Sequence, residues 1–82
     1  MFIHHYTVMW IKFKNNISLN MDLVIQFEKA EFGSGIIFRC NGLGIKLNFS
    51  NCTERNIAYD EINKALDSDG KFYQIDIDAK TE

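Results

Sequence analysis

From Ile17 to Phe27 the chain reads ISLNMDLVIQF. Ile17, Leu19, Met21, Leu23, Ile25 and Phe27 are apolar, and every position between them except Val24 is polar. Period-two alternation sends successive side chains to opposite sides of an extended backbone, so this stretch predicts a strand with one face in a core. Such a run is about twice the length of an ordinary strand, and a bend or bulge partway is expected.

Tyr6 to Lys14 predicts a first strand, and the turn after it sets which face is buried. A two-residue loop at Asn15 and Asn16 pairs Trp10 with Met21 and puts Trp10 in the core. A three-residue loop from Lys14 pairs Phe13 with Ile17 and Ile11 with Leu19, and puts Trp10 outside. The three-residue loop is preferred because it keeps Lys12 and Lys14 out of the core, where an unpaired charge is costly.

Ile36 to Cys40 and Leu43 to Phe49 predict a hairpin closed by Asn41 and Gly42, the favoured pair for a type I′ turn. That loop pairs Cys40 with Leu43, Phe38 with Ile45 and Ile36 with Leu47, all apolar and on one face. Ile37, Arg39, Gly44, Lys46 and Asn48 fall on the other. A helix is predicted from Cys52 to Leu66, with Asn51 as N-cap and Glu54 three residues on. Ile57, Ala58, Ile62, Ala65 and Leu66 form its apolar stripe, and Arg55, Asn56, Asp60, Asn63, Lys64 and Asp67 face water. Phe72 to Asp78 predicts a last strand with Tyr73, Ile75 and Ile77 inward and Phe72, Gln74, Asp76 and Asp78 outward.

The order is β-β-β-β-α-β. It predicts a single small α+β domain over residues 6–79, a mainly antiparallel sheet with one amphipathic helix packed on one face. Residues 1–5 are expected to fray, and residues 80–82 to form a polar tail. One helix is about 10 Å wide, whereas five strands span roughly 20 Å. The sheet must therefore curl or be covered by something else.

Composition changes this picture little. The chain has 82 residues, seven Phe, three Tyr, one Trp and no Pro, which argues for a packed domain and against disorder. The net charge of −2 is too mild to imply a nucleic-acid or membrane partner. Residues 60–82 are acidic and the remainder slightly basic. No run is long and apolar enough to span a bilayer, and the first residues lack the basic start and continuous apolar stretch of an export signal. A cytoplasmic location with Cys40 and Cys52 as free thiols is expected.

Candidate chemistry is sparse. His4 and His5 are adjacent and point to opposite faces of a strand, so they do not share a metal. Cys40 and Cys52 form no CxxC pair and have no His in a cysteine-hydrolase context. Asp67, Asp69 and Gly70 miss the spacing of a calcium loop. The pairs Gly33/Gly35 and Gly42/Gly44 precede no helix, so neither is a phosphate loop. Asp76 and Asp78 share a strand face but lack a partner base, and read as a solvated edge. No metal, cofactor or catalytic group is expected, and the chain is not expected to be an enzyme.

The outward, helix-free face of the sheet is more informative. It gathers Tyr6, Val8, Trp10, Val24, Ile37 and Phe72 with Lys12, Lys14, Arg39 and Lys46. Exposed patches containing Trp and Tyr commonly mark interaction sites. The expectation is a non-catalytic protein-binding module of inhibitor, adaptor or subunit type, docking a partner or a second copy as a homodimer through Tyr6, Val8, Trp10, Lys12, Ile37, Arg39, Lys46 and Phe72. The alternative is single-stranded nucleic acid stacked on Trp10 and held by Lys and Arg, which the acidic end and the absence of an aromatic cluster oppose.

Overall fold

The computed structural model describes residues 9–68 and 70–81. Tyr6, Val8 and the expected frayed residues 1–5 lie outside the described residues. The elements are β1 (Trp10–Phe13), β2 (Ser18–Asn20), β3 (Val24–Lys29), β4 (Gly35–Cys40), β5 (Leu43–Asn48), α1 (Cys52–Leu66), β6 (Phe72–Ile75) and β7 (Lys80–Thr81). The fold is α+β, but its strands divide into two sheets. One has the order β2-β1-β6 and the other β3-β4-β5-β7.

The division falls inside the long alternating run. Met21–Leu23 forms a 3-10 turn between β2 and β3, with the Asn20 side chain accepting a hydrogen bond from Asp22 N–H at 3.0 Å. A side chain that bonds its own backbone two residues on competes with the strand ladder. The turn, together with a register shift between Val24 and Gln26, breaks the expected common face. Leu19 and Met21 are buried, whereas Leu23 and Ile25 are 63% and 74% exposed.

β1 and β2 pair with Ile11 opposite Leu19, and Phe13 N–H donates to the Ile17 carbonyl at 2.8 Å. The loop therefore has three residues and Trp10 points out. Asn16 has φ of +70°, the left-handed position that closes a three-residue hairpin loop and that Asn tolerates better than most residues. β4 and β5 pair as the sequence predicts, Cys40 with Leu43 and Ile36 with Leu47. The turn type differs. Type I′ needs positive φ at both central residues; Gly42 has it at +80° and Asn41 does not, which is the pattern of a type II turn.

α1 spans the predicted residues, and Asn51 Oδ1 accepts from Glu54 N–H at 2.8 Å. Its buried face is Arg55, Ala58, Ile62 and Ala65, so Arg55 does not face water as expected. Its guanidinium donates to the Gly35 carbonyl at 3.1 Å and to Asn56 Oδ1 at 2.8 Å. Ile57 and Leu66, placed on the apolar stripe by their spacing, are about half exposed. β6 lies parallel to β1, as the long return through the other sheet and α1 permits. Lys80 and Thr81 are not a free tail: they pair as β7 with Asn48 and Leu47.

Ile11, Phe13, Leu19 and Ile75 from one sheet, Ile36, Phe38 and Leu47 from the other, and Ala58, Ile62 and Ala65 from α1 form one core cluster. Two narrow sheets and one helix thus cover each other's apolar faces, which removes the mismatch between one helix and a five-stranded sheet. Each fully buried large side chain stabilises this core by about 1.5–3 kcal/mol.

Candidate interaction surface

The face of the three-stranded sheet that turns away from the core is built on β1 and β6. Alternation decides its members: Ile11, Phe13 and Ile75 point into the core, so Trp10, Lys12, Phe72 and Gln74 point out. Trp10 and Phe72 stand at partner positions of the parallel pair, and Lys12 stands between Ser18 and Gln74. Trp10 is 41% and Phe72 56% exposed. Two large aromatic side chains side by side on a sheet face present apolar area in a rigid setting. Both backbones are held by the ladder, so little ordering entropy is lost when a partner covers them. The polar end of the face carries Lys12 and Gln74, and exposed Lys14 and Asp76 follow.

The other residues expected on this face lie elsewhere. Ile37, Arg39 and Lys46 belong to β4 and β5 in the four-stranded sheet. Ile37 is half-buried and pairs with Lys46 and Glu28. Arg39 donates from Nε to Glu28 Oε1 at 2.9 Å, and its Nη2 lies 2.9 Å from the same oxygen. This ion pair engages the arginine's charge within the fold. Val24 is half-buried against the core on β3. The structure therefore brings together Trp10, Lys12 and Phe72, and separates them from Ile37, Arg39 and Lys46. Tyr6 and Val8 precede β1 outside the described residues.

A second concavity was not singled out by sequence pattern. Between β3 and the C-terminal half of α1 lies a groove of about 380 Å³, lined by Met21, Val24, Ile25, Phe27, Tyr59 and Leu66 among others. Its floor is aromatic. Phe27 stacks on Phe38 with centroids 5.9 Å apart and meets Tyr59 at 5.3 Å, and Lys29 Nζ lies 5.0 Å from the Tyr59 ring centre. The available signal was the helical spacing of Tyr59, Asn63 and Leu66, of which the predicted apolar stripe held only Leu66. Glu61 accepts from Tyr73 Oη at 3.4 Å and pairs with Lys64 at 3.1 Å, which holds the exposed lysine above its ordinary pKa.

Among the described residues no three His, Cys, Asp or Glu side chains are grouped to hold a metal. Both cysteines are free, and Cys52 Sγ lies 3.7 Å from the Gly33 carbonyl oxygen. No helix among the described residues is long and apolar enough to cross a membrane. No family model, curated protein or solved structure matches the chain.

Proposed function

We propose that the chain is a non-catalytic protein-binding module whose contact surface is the outward face of the three-stranded sheet. The observation that carries this reading is the exposure of Trp10 and Phe72 at partner positions of one rigid strand pair. Trp is the residue type most enriched where interface energy concentrates, and an aromatic pair next to a single lysine gives such a surface an apolar centre and a polar margin. Trp10 and Phe72 are the anchors, and Lys12 sets orientation. Ile37, Arg39 and Lys46 are not part of this contact, because they sit on the other sheet. The free thiols suit a reducing cytoplasm.

Single-stranded nucleic acid is the weaker reading on the same face. Arg39 is engaged by Glu28 on a different sheet, and exposed Asp76 lies just past the end of the strand that carries Phe72. What remains is two aromatics with Lys12 on the face and Lys14 beyond it, too little charge for a backbone-tracking groove.

The test is co-purification from the source cells, followed by reconstitution with the purified partner. Wild type binds, and Trp10→Ala or Phe72→Ser weakens binding at least about tenfold with the fold retained, as expected for an anchor worth about 2 kcal/mol. Leu43→Ser, at an exposed site on the other sheet, leaves binding unchanged. Retained binding in Trp10→Ala, or tight binding of an oligonucleotide at low salt, overturns the reading.

A further inference from the structure

Among the described residues four strands lie at sheet edges: β2, β6, β3 and β7. Edge strands offer unpaired N–H and C=O groups, and proteins that remain monomeric blunt them with shortness, bulges, prolines or charges. β7 has two residues and β2 three. β3 carries the register shift at Val24/Gln26, Lys29 and the Glu28–Arg39 pair. β6 has four residues with no bulge and no charge within it, and exposed Asp76 lies just beyond its end. It reads FYQI and pairs with β1 without a register shift from Trp10/Phe72 to Phe13/Ile75.

The orientation of its free groups follows from one hydrogen bond. Trp10 N–H donates to the Lys71 carbonyl at 2.9 Å. In a parallel ladder alternate residues bond the neighbour, so Tyr73 and Ile75 serve β1, while the N–H and C=O of Phe72 and Gln74 point to the open edge. Among the described residues no hydrogen bond from outside the strand ladder reaches those groups.

We propose that β6 is a dimerisation edge, with β6 of two copies pairing antiparallel about a two-fold axis at Gln74 to join two three-stranded sheets into one of six strands. This register is self-complementary, as a two-fold interface requires. Gln74 lies opposite Gln74 of the second copy, where two neutral side-chain amides bond each other. Phe72 lies opposite Asp76 of the second copy, one residue beyond the end of β6, and Tyr73 opposite Ile75. No like charges are opposed, and both open groups of Phe72 and Gln74 find partners. The pairing uses the backbone edge and not the Trp10–Phe72 face, so it goes beyond the binding reading. It places two copies of that face on one side of a continuous sheet. So short a pairing makes a weak, reversible dimer.

The test is molar mass by light scattering or sedimentation from about 10 μM to about 1 mM. Wild type rises from the 9.5 kDa of one chain toward twice that value. Gln74→Pro removes only an N–H aimed at the open edge and leaves a monomer throughout. Gln74→Glu sets two carboxylates against each other in the dimer but lies beside Lys12 in the monomer, and it weakens association at least about tenfold. Trp10→Ala leaves the dimer intact, which separates this inference from the binding reading. With Cys40→Ser and Cys52→Ser in place, Gln74→Cys oxidises to a covalent dimer, since hydrogen-bonded antiparallel partners lie about 5.5 Å apart at Cα, within disulfide range. Phe72→Cys alone does not. A monomer across the whole range without crosslinking overturns the proposal. So does a dimer that survives Gln74→Pro and Gln74→Glu, or one that is lost in Trp10→Ala.

Discussion

The side-chain amide of Asn15 closes on the backbone of Ala79: its oxygen accepts from Ala79 N–H at 3.1 Å, and its nitrogen donates to the Ala79 carbonyl. Sixty-four positions separate the two residues in the chain. The pair ties the β1–β2 turn to the segment that leads into β7, and Lys14 N–H adds a bond to the Ile77 carbonyl at 3.0 Å. Ala79 is fully buried, so its backbone groups need these partners. Asn15→Ala is expected to cost about 1–3 kcal/mol of unfolding free energy, since buried backbone groups lose their partner. Asn15→Asp keeps the acceptor for Ala79 N–H but sets a carboxylate oxygen against the Ala79 carbonyl, and is expected to cost at least as much. Urea unfolding of the three proteins checks the order.

The left-handed residue in the same turn gives a second, sharper contrast. At Asn16, φ of +70° is strained for any residue with a branched Cβ. Asn16→Gly is expected to be neutral within a few tenths of a kcal/mol, and Asn16→Val to destabilise by about 1–2 kcal/mol. Thermal melts of both variants decide it. Equal melting temperatures contradict the assigned loop.

Arg55 offers a third. It is buried, and the described structure pairs it with no carboxylate; its bond to the Gly35 carbonyl at 3.1 Å joins α1 to the start of β4. Arg55→Leu fills part of the space but removes the charged one of two donors on that carbonyl, the other being Ala30 N–H at 3.0 Å. A loss of about 1–3 kcal/mol is expected by urea unfolding. If instead Arg55 faced water, as its place in the helix pattern suggests, the change would be within about 0.5 kcal/mol.

The two faces of β1 separate stability from binding. Phe13→Ala empties a fully buried site and is expected to cost about 3–5 kcal/mol. Trp10→Ala, on the other face, is expected to cost about 1 kcal/mol or less while removing the binding anchor. Parallel unfolding and binding measurements on the two variants should move in opposite proportions.

These contrasts show which features the sequence carries openly. Loop length at Lys14–Asn16, the β4–β5 register and the limits of α1 each rest on local chemistry: a charge that resists burial, an Asn-Gly pair, an Asn cap. Local chemistry is visible in a single sequence. The split of the long strand was harder to see, because hydrophobic alternation runs unbroken through Met21–Leu23 while the Asn20 cap diverts the backbone. Once the strand divides, its two halves join different sheets. That division moved Ile37, Arg39 and Lys46 away from Trp10 and Phe72, although Trp10, Arg39 and Phe72 are exposed as their pattern predicts. β7 and the burial of Arg55 depend on partners distant in sequence, and short polar stretches carry no periodicity to announce them. The β3–α1 groove arises from packing between elements, so Tyr59 and Leu66 gain meaning only when the helix is set on the sheet.

The single tryptophan allows the most direct measurement. Emission of Trp10 is recorded over a dilution series, with iodide quenching at each concentration. An outward Trp10 on the three-stranded sheet predicts red-shifted, readily quenched emission in dilute protein, unchanged by pairing at β6. Blue, unquenched emission in dilute, folded monomer would place Trp10 in the core and contradict the proposed binding face.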